Sequence, residues 1–351
     1  MALSRGKRLG YIDIAKGIAI LCIVFGHMNI AAVNRVVFTF HVPLFYLITG
    51  YFADADTNWR PFLRKKLRTL IVPYYLTCLA IILLAWLKSL LLPGGESTGD
   101  TVLHWIYASL YGLGFTTYKP FPVYPIGAIW FLWATFWGSL LLRCLLGRTP
   151  LFRLAAVLLL GLFGCLSGKV IWLPLSFQPG CCALLYMYLG HLWRRSQNAK
   201  QRLSPEVRTA GCVFAAIVWL FFIRDFQTFW LVSCDFGRGA VDFFGSVCAC
   251  CVVFQISRII EKKLPRLTRW LSYLGRYSLI LLCVHIIELN LFPWDIFWDV
   301  FTAHGVPPNA TLLCSIATKF LILLPLTVLL SRWNPTRILF GFPKTDPAAS
   351  V

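Results

Sequence analysis

The sequence predicts an all-α polytopic membrane protein of about ten transmembrane helices, with both termini in the cytoplasm. Three observations predict it. The 351 residues are 58% hydrophobic and only 13% charged, where a soluble domain carries about 25% charged residues. Ten apolar runs, at about 11–31, 36–53, 69–92, 125–146, 151–168, 176–193, 209–225, 239–259, 271–292 and 311–332, are each long enough to cross or nearly cross a ~30 Å hydrocarbon core. The basic residues fall between those runs in an alternating pattern. With the N-terminus inside, cytoplasmic segments hold 25 of the 33 Lys and Arg, outer segments six, and two lie within runs. That asymmetry is the positive-inside rule, and it demands an even number of spans. It also accounts for the net charge of +19 without nucleic acid as a partner.

The first run, "YIDIAKGIAILCIVFGHMN", lacks a small-residue cleavage site and is expected to stay as a span. It carries Asp13, Lys16 and His27, and ionisable groups in hydrocarbon are costly enough to need a reason. At 1.5 Å rise per residue, Lys16 lies roughly 7 Å inside the cytoplasmic end and His27 roughly 24 Å along. At 100° per residue all three share one side of the helix, which should face protein. Asp13 and Lys16, three apart, can pair; the pair either sets the helix end or takes part in binding. The second run, descending, places His41 roughly 7 Å below Val36.

"RPFLRKKLR" at 60–68 leads into the third run. It serves as a topology signal. Arg64 and Arg68, at i,i+4 with Lys65 beside them, also form a row of the kind that grips phosphates. The outer segment 93–124 is turn-rich ("PGGESTGD", "KPFPVYP"). Its short aromatic stretch 101–117 is expected to lie on the surface or re-enter. The fourth to eighth runs carry hydropathy and scattered cysteines. The thirteen Cys lack zinc-site spacing and read as small buried hydrophobes rather than a disulfide framework. The ninth run rises from about Leu271 and lifts His285 roughly 21 Å, to the same outer half as His27 and His41. Glu288, three residues on, is within reach of His285. Lys319 lies inside the tenth run. No repeat or linker divides the chain, so 1–351 is expected to be one domain ending in a short cytoplasmic tail, 333–351.

Histidine near pH 7 is the usual general base, and three at one depth in a membrane cavity suit deprotonation of a hydroxyl. No metal is expected, because no HxH or HxxxH pair occurs. There is no Gly-rich phosphate loop and no GxSxG elbow. A basic row at the cytoplasmic mouth suits a nucleotide-bearing acyl donor.

Four motifs, "YIDIAKGIAILCIVFGHMN", "FTFHVPLFYLITGYF", "FLRKKLRTLIVPYY" and "LGRYSLILLCVHII", with a weaker "AIWFLWATF" at 128–136, resemble in order and spacing the acyltransferase 3 family of membrane-bound O-acyltransferases. The likeness covers about 1–75 and 270–290. It is greatest to the fucose 4-O-acetyltransferase type, a branch also seen as the membrane part of membrane-bound serine racemases. The resemblance implies ten transmembrane helices in a bacterial cytoplasmic membrane. It implies transfer of an acyl group, usually acetyl, from cytoplasmic acyl-CoA (acetyl-CoA or another) to a hydroxyl of a cell-surface or exported glycan. His27 maps onto the catalytic base. Asp13 and Lys16 open the same motif, with Lys16 where many members have arginine. Arg64, Lys65 and Arg68 map onto the basic motif that would hold CoA phosphates, with a wider spacing than the common RxxR. His41 and His285 match motif histidines that would bind or polarise acceptor and carbonyl, with Glu288 orienting His285. The partners implied are acyl-CoA, a carbohydrate acceptor and membrane lipid, with a second copy of the chain as a further candidate. Intramembrane polar residues also mark transport pathways, so a transporter or flippase for a small polar molecule or glycan precursor is the alternative; a silent scaffold in a glycan-assembly complex is a third.

Overall fold

A computed structural model describes residues 9–53, 58–91, 97–198 and 204–342. The basic residues Arg5, Lys7, Arg8, Lys200, Arg202 and Lys344, part of the turn-rich 93–100 stretch, and residues 343–351 of the expected tail lie outside it. The described residues are helical without a strand; two isolated bridges, Thr117 with Val123 and Trp230 with Asp235, close short loops. In chain order the helices are α1 (Gly10–Gly26), α2 (Ala31–Val37), α3 (His41–Tyr51), α4 (Trp59–Lys66), α5 (Val72–Leu91), α6 (Thr98–Tyr111), α7 (Trp130–Leu146), α8 (Pro150–Ser167), α9 (Phe177–Asn198), α10 (Pro205–Arg224), α11 (Ala240–Lys263), α12 (Pro265–Arg276), α13 (Ser278–Leu291), α14 (Trp294–Ala303), α15 (Pro308–Arg332) and α16 (Asn334–Leu339).

Each of the ten apolar runs falls on helix. Six helical stretches are long and apolar enough to cross a membrane by themselves: α2–α3 taken together, α4–α5 taken together, α8, α10, α11 and α15. A seventh results if the interrupted pair α12–α13 is one span. Their exposed surface is apolar. Leu158, Leu159 and Leu162 on α8, and Val213, Phe214, Ile217 and Leu220 on α10, all face outward, as side chains in contact with lipid do. Water would not tolerate so much contiguous apolar surface on a soluble protein. The fold is that of an integral, multi-pass membrane protein.

Three expected spans differ in their interiors. The first helix stops at Gly26 rather than running to 31; Asn29 takes the left-handed conformation (φ 56°), which asparagine tolerates better than most residues. The second span begins earlier than expected, at Ala31, and breaks at residues 38–40. Pro43, in the first turn of α3, marks the break, because it has no N–H for the Thr39 carbonyl four residues back. The break is held by tertiary contacts: Trp219 Nε1 donates to Thr39 Oγ1 (2.9 Å) and the Trp219 ring meets Phe40 edge-on. The third run is entered through a π-helical turn, Leu67–Ile71. Pro73 lies just beyond it. Proline has no N–H to give the carbonyl four residues back and its ring crowds that carbonyl, so the turn widens.

The chain forms two compact units, each assembled from separated stretches. The first comprises the described residues of Met1–Asp56, Trp137–Val170 and Gln178–Ser278. Its centre is α1, which packs most extensively on α12 and also against α2, α3 and α11. Gly17 and Gly275 permit this close approach: a Cβ at Gly17 would strike the Leu271 carbonyl, and one at Gly275 the Asp13 carbonyl. Small residues at crossings are the usual route to tight helix packing in membranes. The second unit comprises the described residues of Thr57–Phe136, Ile171–Phe177 and Leu279–Val351. There α5 packs on α6, and the buried Tyr74 donates its hydroxyl to the Ser109 carbonyl (2.7 Å). α15 packs against α14 and α16.

Candidate functional site

In the first unit, Asp13 and Lys16 form the i,i+3 pair that their spacing allows, with Nζ 2.8 Å from Oδ1. Asp13 is buried and Lys16 partly so. Arg258 of α11 lies over the Tyr11 ring two residues earlier, 4.6 Å from its centroid. The N-terminal end of α1 is therefore polar, as intramembrane charges facing protein should be.

His27 caps α1 and is half-buried. Because the helix ends there, the His27 amide turns to the Val24 carbonyl (3.3 Å), and the Ile23 carbonyl takes the imidazole Nδ1 instead (2.8 Å). A carbonyl only accepts, so Nδ1 carries the proton and Nε2 the lone pair of the neutral ring. That is the form a general base needs. His41 uses the same device at the break in the second span. It is the first residue of α3, and its Nδ1 donates to the Val37 carbonyl four residues back. Its ring is buried and meets Phe38 edge-on. The expected position a full turn inside a continuous helix is thus replaced by one at a helix start.

In the second unit, His285 and Glu288 meet as their spacing suggests: Nδ1 donates to Oε2 at 3.0 Å. Two further partners complete the carboxylate. Lys319 Nζ, reaching from α15, lies 2.7 Å from Oε1, and Trp294 Nε1 donates to the same oxygen at 2.6 Å. The Lys319 ammonium also sits 4.0 Å from the centroid of the Trp294 ring, a cation–π contact. His285 is fully enclosed, and Glu288 and Lys319 are each 5% exposed. With a neutral imidazole the cluster has zero net charge, the condition for keeping ionised groups out of water. Lys319 and Trp294 were not singled out from sequence. The available signal was a lone lysine in the last apolar run and a lone glutamate in the ninth, which is the combination that seeks itself in a membrane.

The basic row divides. Arg64 and Lys65 are exposed at the end of α4. Arg68 lies in the π turn and donates through Nε (3.1 Å) and Nη2 (2.8 Å) to the Ile338 carbonyl of α16. Its fork is thus committed to main chain, and the even i,i+4 row of an ideal helix is interrupted by the wider turn. Among the described residues no group of three or more His, Cys, Asp or Glu is placed to hold a metal ion.

The fold is that of a multi-pass membrane protein, and in His27 and His41 the ring Nδ1 is held by a main-chain carbonyl at a helix end or start. The family model for the acyltransferase 3 family, described as an acyltransferase domain, matches residues 9–332, which take in every candidate residue above. The chain belongs to the acyltransferase 3 family. Searches among curated proteins and among solved structures gave no match.

Proposed function

We propose that this membrane acyltransferase moves an acyl group, acetyl first among the candidates, from cytoplasmic acyl-CoA to a hydroxyl of a cell-surface or exported glycan, with His27 as the general base. The observation that carries the reading is at His27. Its Nδ1–H is taken by the Ile23 carbonyl, so the lone pair is on Nε2, and the residue is half-buried where His285 is enclosed. A base has to be reached by the proton it removes. In the step proposed, Nε2 accepts the acceptor's hydroxyl proton as that oxygen bonds to the thioester carbonyl carbon. The C–S bond then breaks, and the imidazolium returns the proton to the departing thiolate of CoA. His41, of the same unit as His27, is proposed to polarise the reacting groups, and Glu288 to orient His285, whose enclosure keeps it from touching them. Arg64 and Lys65, exposed and cationic, are proposed to bind donor phosphates. Arg68, with its fork on Ile338, is proposed to anchor the turn from which they project. Asp13 and Lys16 are assigned to the donor side. The cytoplasmic membrane of a bacterium and the fucose 4-O-acetyltransferase branch complete the proposal.

The proposal also takes all ten runs as spans, with both termini inside. α1 and α7, at 17 residues each, reach about 26 Å, and a core of ~30 Å thins or is completed by flanking turns over such a mismatch. The experiment is radiolabelled acetyl-CoA added to membranes containing the protein. Transfer of label to glycan by the wild type, lost in His27→Ala at equal levels of folded protein, supports the reading. Full transfer by His27→Ala overturns the base assignment. Wild-type protein that leaves acetyl-CoA intact while moving a polar solute across vesicles overturns it in favour of transport.

A further inference from the structure

The second unit holds a cavity of about 790 Å³ that no part of the chemistry above uses. It is built from one face of α6 (Asp100, His104, Tyr107, Tyr111) and from the 121–124 strip that follows (Phe121, Tyr124). Its walls are fixed before any ligand arrives. The Thr117–Val123 bridge closes the loop. Tyr111 donates its hydroxyl to the Trp172 carbonyl (2.6 Å) and meets the Phe121 ring edge-on. The His104 and Tyr124 rings meet at a tilt of 32°, with centroids 4.5 Å apart. Ser97, the N-cap of α6, donates to Asp100 Oδ2 (2.6 Å) and so orients that carboxylate. Tyr107 and Tyr124 keep large exposed faces, 67% and 52%.

We propose that this cavity binds a neutral sugar ring, as the acceptor subsite of the acyltransferase. The chemistry of the lining selects the occupant. A pyranose offers an apolar C–H face and a rim of hydroxyls. The cavity offers tyrosine faces for the first and an oriented carboxylate, an imidazole and phenol hydroxyls for the second. No Lys or Arg lines it, so it is a poor match for CoA phosphates or an anionic headgroup. An alkyl chain would match Leu103 and Leu110 of the lining but would make no use of the Asp100 carboxylate or the His104 imidazole. The volume is within the usual range for small-molecule sites. Identification with the acceptor rests on the acyltransferase reading and on the outward placement of 93–124; the sugar site itself does not.

The test is saturation-transfer difference NMR on the full chain in phospholipid nanodiscs, free of glycoside detergent. The probes are methyl α-fucoside, methyl β-glucoside and methyl β-N-acetylglucosaminide. At least one should bind, and Tyr107→Ala should weaken it about five-fold and Asp100→Asn about ten-fold. Both changes lie at exposed positions and leave the packing untouched. Absence of binding by all three, or unchanged binding in both variants, overturns the proposal. So does labelling of Tyr107 or Tyr124 by a photoreactive fatty acid that the glycosides fail to block. Acetyl transfer measured on the same samples separates the two readings: transfer without glycoside binding here refutes the subsite alone, and binding here without transfer from acetyl-CoA refutes the acyltransferase reading while the sugar site stands.

Discussion

Replacing Lys319 with methionine should destabilise the protein by about 3 kcal/mol, and adding Glu288→Gln should restore much of that loss. The side chain is nearly isosteric, so the change is one of charge. In the native cluster the ammonium and carboxylate are 2.7 Å apart. With an effective dielectric of ~20 the attraction is about 6 kcal/mol before the desolvation of both ions is subtracted. Removing one member of such a buried pair typically costs about 3–5 kcal/mol, because the other is left without its counter-charge. The lower end applies here, since Glu288 keeps the His285 Nδ1–H and the Trp294 indole N–H. The double variant has no net charge to strand, and the amide carbonyl introduced by Glu288→Gln can still accept the indole N–H. A thermodynamic cycle should therefore show coupling of about 2 kcal/mol between the two positions. Equilibrium unfolding in mixed micelles, with SDS as denaturant, measures all four corners. Lys319→Met within about 0.5 kcal/mol of wild type, or a double variant equal to the sum of the singles, would refute the account of the cluster as a charge-balanced unit.

His27→Ala should lower acyl transfer by about 10²–10⁴-fold, the range for a lost general base, with thermal stability in detergent unchanged. Gly275→Ala should cost about 1–3 kcal/mol by forcing α12 off the Asp13 carbonyl, read as a lower melting temperature by fluorescence-detected size exclusion. Arg68→Lys should keep charge but lose the two-donor grip on Ile338, worth about 1 kcal/mol, and limited proteolysis should then release α16 sooner. Arg64→Ala with Lys65→Ala should raise the KM for acyl-CoA by about ten-fold and leave the KM for glycan alone; equal shifts in both would count against a donor-side role. Fusion of a fluorescent protein at the C-terminus should give signal, and a phosphatase fusion there should be silent, if both termini are cytoplasmic.

What the sequence made legible was local. Helices lie under every apolar run because hydropathy is a property of consecutive residues. The Asp13–Lys16 and His285–Glu288 contacts are present because i,i+3 spacing alone brings such side chains together. What it hid depended on partners distant in the chain. The break at 38–40 is signalled in the sequence only by Pro43, which a continuing helix with a kink would also explain, and is held by Trp219 about 180 residues away. Lys319 finds Glu288 across 31 residues. Arg68 finds a carbonyl 270 residues further on, so one member of a row that reads as three phosphate ligands is already committed to main chain. Depth reasoning from unbroken helices also missed that His27 and His41 sit at a helix end and a helix start.

Those two positions have a consequence for how such a chain can change. Each ring is held in its tautomer by a main-chain oxygen that a finished or restarted helix leaves available, and main chain is indifferent to the identity of the residue that supplies it. Ile23 and Val37 could be exchanged for other apolar residues without altering the proton's address. An insertion or deletion that let either helix run on would alter it at once, with both histidines still in place. The vulnerable quantity at these sites is the length of a helix rather than the spelling of a motif.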